Sequence, residues 1–210
     1  KAKGSFRLQG IRSTSPVVVG DKVIVDFKSD ATSYITEILD RKNYIVRRAS
    51  NLSKHAHILA ANIDLTLLFV TVRSPETTTV FIDRFLSTAE AYSVPVCLVF
   101  NKIDLYDEDD LAYVDALINL YQTIGYPCQK TSLVDELGVD ELKNSIKEKV
   151  TLLAGHSGVG KSLFINVVTE DNEKRKVGDI SSYHQKGMHT TTYSEMIETK
   201  QGGFIIDTPG

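Results

Sequence analysis

Short apolar runs separated by turn residues make up the first fifty residues of the chain. Five runs have the length expected of β-strands: Ser5–Leu8, Pro16–Val19, Lys22–Phe27, Ser33–Leu39 and Tyr44–Arg48. The residues between them are rich in glycine, aspartate, asparagine and lysine, which favour turns. Short strands at this spacing predict a small β-barrel, so we expect an OB-fold domain over residues 1–55; an SH3-like barrel would give a similar pattern.

After residue 55 the pattern changes to long apolar runs that alternate with helical periodicity. The predicted strands are Asp64–Val72, Pro95–Phe100, a strand ending at Lys130–Ser132, Lys149–Ala154 and Gly203–Ile206. Four helices are predicted. The first is capped by Ser74-Pro75 and has an apolar stripe of Phe81, Phe85, Ala89 and Tyr92; the second begins with the acids Asp107–Asp110 and has an apolar stripe of Leu111, Val114, Leu117, Ile118 and Tyr121. The other two cover Val139–Lys149 and Lys161–Val168. This alternation predicts an α/β domain over residues 56–210, a parallel sheet with helices on both faces, whose site lies at the carboxyl ends of the strands.

Composition narrows the class of protein. The chain has 210 residues, of which 42% are hydrophobic, enough to fill a sizeable core. Cys97 and Cys128 give no disulfide framework, so we expect a cytoplasmic location. The longest apolar run, Leu65–Val72, is too short to span a bilayer, so no membrane association is expected.

The net charge of −3 conceals an asymmetry. Residues 1–55 hold eleven Lys and Arg against five Asp and Glu, whereas the remainder is acidic. A basic module of this kind favours a polyanionic partner, with a merely solvated positive face as the alternative. The residues expected to contact its phosphates are five basic residues concentrated late in the predicted barrel: Arg41, Lys42, Arg47, Arg48 and Lys54.

A glycine-rich segment after the Lys149–Ala154 run fits the phosphate-loop pattern G-x-x-x-x-G-K-[ST]. Its residues, all predicted to bind nucleotide together with Leu163 after them, are Gly155, His156, Ser157, Gly158, Val159, Gly160, Lys161 and Ser162. In such a loop, backbone N–H groups cradle the phosphates. Lys161 would supply positive charge to the β and γ groups and Ser162 would ligate Mg²⁺.

A second motif lies between the second predicted strand and the helix that follows it. Asn101, Lys102, Ile103 and Asp104 form an NKxD sequence. A carboxylate there accepts hydrogen bonds from N1–H and the exocyclic amine of guanine, a pair that adenine lacks. Ser132 and Leu133, at the end of the next predicted strand, extend this base site, and the Leu133 N–H can reach the guanine O6.

The remaining parts of a GTP site follow the phosphate loop. Asp207–Gly210 has the form D-x-x-G, in which Asp207 would hold Mg²⁺ through water and the Gly210 N–H would sense the γ-phosphate. A threonine run closes a polar stretch before it, and Thr191 is the predicted Mg²⁺-closing residue, with Thr190 and Thr192 as alternatives. The predicted catalytic residues are Lys161, Asp207, Gly210 and Thr191, and the predicted metal ligands are Ser162, Thr191 and Asp207. His156 and His189 are candidates to approach the γ-phosphate, although a loop histidine is more often just solvated.

The order of these motifs is unusual, because NKxD precedes the phosphate loop. The chain thus resembles the RsgA (YjeQ) family of circularly permuted GTPases, a likeness also carried by Pro16–Asp21, Arg41–Tyr44 and Ala60–Asp64. Met188 stands where the family usually has arginine in a G-R-H-T-T-T loop.

The resemblance implies GTP hydrolysis with Mg²⁺ in maturation of the small ribosomal subunit, with that subunit and its rRNA as partners. It also implies an OB-fold, a permuted GTPase domain and a zinc-binding domain beyond Gly210. We expect the GTPase domain of this chain to be truncated at its D-x-x-G motif. We expect a monomer.

Two other classes of function stay open at this point. The chain could be an RNA-binding adaptor in which the nucleotide is mainly structural, although complete Mg²⁺ and γ-phosphate machinery disfavours this. It could also be a P-loop ATPase or kinase. Asp104 discriminates here, because only guanine offers the donor pair that its carboxylate reads.

Overall fold

The computed structural model describes residues 17–27, 33–48, 56–169 and 194–207. In these ranges the strands are β1 Val23–Phe27, β2 Ser33–Ile38, β3 Tyr44–Arg48, β4 Ala56–Ala61, β5 Leu65–Val70, β6 Val96–Phe100, β7 Cys128–Lys130, β8 Lys149–Ala154, β9 Glu195–Glu198 and β10 Gly203–Asp207. The α-helices are α1 Thr79–Ala91, α2 Glu108–Thr123, α3 Val139–Ser145 and α4 Lys161–Thr169, and a short 3-10 turn covers Ile103–Leu105. The first strand predicted from the sequence, Ser5–Leu8, lies outside the described residues.

Six strands form the central sheet, in the order β7-β6-β5-β8-β10-β9. All neighbouring pairs are parallel except β10 and β9, which are antiparallel. Leu68 and Val70 of β5 pack into one hydrophobic cluster with residues of α1 and α2, while Leu67 and Phe69 pack into a second with residues of α3 and α4. Helices therefore cover both faces, which explains the nearly continuous apolar sequence of β5 and β6.

Of the two longer helices, α2 begins where the sequence predicted and α1 does not. α2 begins as predicted, with the Asp107 carboxylate accepting from the Asp110 N–H at 2.9 Å. α1 begins later than predicted: its N-cap is Thr78, and its buried face consists of Ile82, Leu86 and Ala89. The Ser74-Pro75 cap was wrong because the preceding residues are held in a loop, in which the Thr77 N–H donates to the Thr71 carbonyl at 2.8 Å.

The amino-terminal part contains two antiparallel pairs, β1 with β2 and β3 with β4. Residues 17–20 form no strand, contrary to the prediction for Pro16–Val19, because the Asp21 carboxylate accepts the Val18 N–H at 2.9 Å and fixes a turn. β4, which the sequence did not reveal, lies after the predicted boundary at residue 55 and pairs with β3 before it. The OB-fold itself stays a prediction.

Buried polar side chains hold the segments around these hairpins to each other and to the α/β part. Arg41 forms a bidentate ion pair with Asp21, at 2.6 and 2.8 Å, and the two side chains are 8% and 1% exposed. The amide of Asn43 donates to the carbonyls of Ile63, at the start of the α/β part, and of Ser93, after α1, at 2.8 and 3.1 Å.

This pairing corrects one expectation about RNA. Arg41 was grouped with the basic residues available to RNA phosphates, but its guanidinium is buried against Asp21, which also raises its pKa through the shared hydrogen bonds. Lys42 remains half-exposed and pairs with Asp64. The side chains of Arg47 and Arg48, and the whole of Lys54, lie outside the described part of the structure.

Candidate functional site

The predicted site residues meet at one edge of the central sheet. Parallel strands β5, β6, β7, β8 and β10 all end there. The NKxD sequence follows β6, the phosphate-loop sequence follows β8, and Asp207 closes β10. Motifs far apart in the chain are therefore brought together by the parallel arrangement.

The glycines of the phosphate-loop sequence are required by its backbone. Gly155, Gly158 and Gly160 have φ angles of 131°, 81° and 112°, a region that favours glycine. A Cβ at Gly155 would lie 2.5 Å from the Phe69 carbonyl oxygen, and one at Gly160 would collide with the Asn101 amide. The loop is thus packed tightly against the ends of β5 and β6.

Lys161 begins α4 and turns its side chain back over the loop. Its Nζ donates to the carbonyls of Gly155 and His156, both at 2.7 Å. Burial lowers the pKa of Lys161, and the carboxylate of Asp207 opposes that shift. Ser162, the next residue along the chain, is exposed. The Ser162 hydroxyl and the Asp207 carboxylate offer the oxygen ligands that Mg²⁺ prefers, and Lys161 offers the positive charge that suits a phosphate.

Asn101 connects three loops of the site. It is 3% exposed, and its Nδ2 donates to the Val159 carbonyl of the phosphate loop at 2.8 Å. Its Oδ1 accepts from the hydroxyl of Thr131, after β7, at 3.1 Å. The first residue of NKxD is consequently a buried link between the base-reading and phosphate-binding segments.

The rest of the NKxD sequence lies nearer the surface. Lys102 has a φ of 68°, and its Nζ donates to the Ser74 carbonyl at 2.6 Å. Asp104 is exposed within the 3-10 turn that also contains Ile103. A carboxylate in this position is open to a ligand from solvent.

Ser132 and Leu133 lie in the loop that follows β7. Both are buried, and the Ser132 hydroxyl accepts from the Asp135 N–H at 3.1 Å. Leu133 belongs to the same hydrophobic cluster as Val159 of the phosphate loop. The loop after β7 and the phosphate loop therefore pack against the same hydrophobic cluster.

Two residues, Tyr106 and Phe81, make contacts at the site that had no signal in the sequence. The Tyr106 hydroxyl donates to the Asn101 carbonyl at 2.8 Å and accepts from the Val72 N–H at 3.0 Å. The ring of His156 lies 4.1 Å, centroid to centroid, from that of Phe81 on α1. Neither Tyr106 nor Phe81 belongs to a motif, and their contacts depend on how distant loops are juxtaposed.

Several predicted residues cannot be located. Thr191, Gly210 and His189 lie outside the described residues. Within the described ranges, no group of three or more His, Cys, Asp or Glu side chains could hold a metal ion. Across the same ranges, none of the helices combines the length and apolarity needed to traverse a membrane.

Comparison with known proteins identifies the family. A model of the RsgA GTPase family matches residues 38–210. The small ribosomal subunit biogenesis GTPase RsgA of Phocaeicola vulgatus is 61% identical over 210 residues, which cover all of this chain and 67% of the relative. The small ribosomal subunit biogenesis GTPase RsgA 2 of Bacteroides thetaiotaomicron has the same identity and coverage.

Solved structures agree with these sequence matches. YjeQ from Thermotoga maritima superposes with a TM-score of 0.73 at 37% identity, over all of this chain and 65% of that one. YloQ, described as a circularly permuted GTPase, gives a TM-score of 0.66 at 27% identity over 61% of its length. The chain thus spans about two thirds of the length of its relatives. These matches confirm the permuted GTPase fold predicted from the motif order, and the chain belongs to the RsgA GTPase family.

Proposed function

We propose that this protein binds guanine nucleotide at the carboxyl edge of the sheet and hydrolyses GTP to GDP and phosphate there. The observation that carries the proposal is the Asn101 side chain, which links the NKxD segment to the Val159 carbonyl of the phosphate loop at 2.8 Å. A base reader and a phosphate cradle fixed to each other can hold both ends of one nucleotide.

The phosphates of GTP bind along the loop, and the base binds beside the NKxD turn. Nucleotide-binding residues, in this proposal, are Asn101, Lys102, Ile103, Asp104, Ser132, Leu133, Gly155, His156, Ser157, Gly158, Val159, Gly160, Lys161, Ser162 and Leu163. Asp104 is exposed for the guanine N1–H and exocyclic amine. Lys161, whose Nζ donates to two loop carbonyls, exchanges those contacts for the β- and γ-phosphates.

Hydrolysis adds demands beyond binding. Bound Mg²⁺ would neutralise charge on the phosphates. Ser162 and Thr191 would hold the ion directly and Asp207 through water. The Gly210 N–H would bond to the γ-phosphate. Lys161 keeps a positive charge beside the transferred group, where negative charge shifts during the reaction. Because Lys161 is partly buried, water screens that interaction less than it would at an open surface.

The partner we propose is the small ribosomal subunit, through its rRNA. The relatives carry the name small ribosomal subunit biogenesis GTPase, and residues 1–55 have an excess of basic residues that would neutralise RNA phosphates. In this proposal residues 1–55 belong to an OB-fold, which also includes β4 through its pairing with β3, and the GTPase domain comes after β4. The protein acts as a cytoplasmic monomer, and zinc belongs to a domain beyond Gly210.

Hydrolysis is tested by comparing GTP and ATP turnover in Mg²⁺ for the wild type and Lys161→Ala. The wild type should hydrolyse GTP in preference to ATP, and Lys161→Ala should lose about a hundredfold or more in turnover because a preorganised charge is removed. Lys147→Ala is the matched control, since Lys147 is exposed after α3. Wild-type turnover in Lys161→Ala would contradict the site assignment.

The same assay separates the enzyme from the adaptor considered from sequence. Tight GTP binding without turnover, both alone and with small subunits present, would favour an adaptor with a structural nucleotide. The presence of Lys161, Ser162 and Asp207 favours the enzyme, because these residues serve the phosphates and Mg²⁺ rather than the base.

A further inference from the structure

We propose that the hydroxyl group of Tyr106 is a specificity-determining positioning group, which holds the NKxD turn where Asp104 can read both hydrogen-bond donors of guanine. The inference rests on the proposed function of Asp104 as the base reader. Tyr106 is not itself expected to touch the nucleotide.

The hydroxyl of Tyr106 both donates and accepts a hydrogen bond. It donates to the carbonyl of Asn101 at 2.8 Å and accepts the N–H of Val72 at 3.0 Å. Both partners are main-chain groups, one at the start of the NKxD segment and one just after β5. The phenol thus bonds the NKxD segment to the residues that follow the neighbouring strand.

The backbone of Tyr106 closes the same segment from its other end. Its N–H donates to the Ile103 carbonyl at 3.4 Å, which ends the 3-10 turn containing Asp104. Lys102 adds a parallel link, from its Nζ to the Ser74 carbonyl. Asp104 therefore lies within a loop whose two ends are both fixed by Tyr106.

The position of the base reader and that of the phosphate loop are secured by different groups. The Asn101 side chain bonds the phosphate loop through the Val159 carbonyl. The Tyr106 hydroxyl instead bonds the Asn101 main chain. Loss of the hydroxyl should consequently loosen base reading more than phosphate binding. Burial raises the pKa of Tyr106, so the phenol remains a neutral donor throughout the pH range of an assay.

The base analogue inosine triphosphate, ITP, provides the probe. ITP keeps the N1–H of GTP but lacks its exocyclic amine, so the GTP-to-ITP affinity ratio reports the second hydrogen bond to Asp104. In Tyr106→Phe this ratio should fall by about threefold or more, the size expected when one hydrogen bond is weakened. KM for GTP should rise while kcat at saturating GTP stays the same.

Tyr126→Phe is the matched control, because it removes a tyrosine hydroxyl that bonds the Glu90 carboxylate at 3.0 Å, apart from the NKxD segment. Its GTP-to-ITP ratio should equal that of the wild type. A thermal melt of each variant checks the fold, and a variant that melts early is assayed in the cold, where it is folded.

An unchanged ratio in folded Tyr106→Phe would overturn the proposal. Equal losses of GTP, ITP and ATP affinity would also overturn it, because they would indicate general destabilisation of the site. A wild type that binds GTP and ITP equally would instead contradict the proposed role of Asp104, so the two failures are distinguishable.

Discussion

At the scale of single residues, the site depends on side chains that serve backbone groups of other loops. The Asn101 side chain donates to the Val159 carbonyl and accepts from the Thr131 hydroxyl, and all three residues are buried. Buried polar groups of this kind cost little when paired and a good deal when left alone. Asn101 is therefore as much a structural residue as a nucleotide ligand.

Replacing Asn101 with alanine should show both roles. Asn101→Ala leaves the Val159 carbonyl and the Thr131 hydroxyl without this partner, which should lower the free energy of unfolding by about 2 kcal/mol or more. Urea unfolding followed by circular dichroism measures this, with the exposed Asn119 of α2 replaced by alanine as the control. GTP affinity should fall in Asn101→Ala alone, and equal stability of the two variants would contradict the linking role.

At the scale of elements, the sequence predicted strands and helices well where one local signal decided them. β8 and β6 followed from continuous apolar runs, and α2 from its acidic first turn and buried stripe of Val114, Leu117 and Tyr121. β9 was missed because Glu195–Glu198 is an exposed edge strand, made by pairing with β10 rather than by its own apolar pattern. β4 was missed because it depends on pairing with β3.

The same distinction holds for the site. The phosphate loop and NKxD were recognisable because the chemistry of nucleotide binding demands particular residues at short spacing. Tyr106 was not, because its hydroxyl bonds two main-chain groups, which leave no pattern in the sequence of their own residues. Arg41 was misread as available for RNA because its partner, Asp21, lies twenty positions away in the chain.

The Arg41–Asp21 pair gives a prediction at the level of these hairpins. Asp21→Asn removes the negative charge facing a guanidinium whose side chain is 8% exposed, and breaking a buried pair from one side should cost about 3 kcal/mol or more. Urea unfolding measures the loss, and Asp26→Asn, at an exposed position of β1, is the control. A midpoint unchanged from the wild type in Asp21→Asn would mean that the pair contributes nothing to the stability of the hairpin part.

At the scale of the whole molecule, permutation changes the order of the chain while keeping the site together. β8 lies between β5 and β10, so the phosphate loop has the strand before α1 on one side and the strand ending at Asp207 on the other. Parallel strands place every motif at one edge regardless of their order in sequence. The amino-terminal hairpins attach to this body through Asn43, which bonds the residues just before β5 and just after α1.

The most direct test of the account exchanges the base that the site reads. Competition binding should show that the wild type prefers GTP to xanthosine triphosphate, XTP, and to ATP. Asp104→Asn should lose about tenfold or more in GTP affinity and gain affinity for XTP. The asparagine amide can donate to the xanthine 2-carbonyl while its oxygen accepts from N1–H. A wild type that binds ATP as well as GTP, or an Asp104→Asn protein that keeps full preference for GTP, would contradict the assignment of a guanine site to this edge of the sheet.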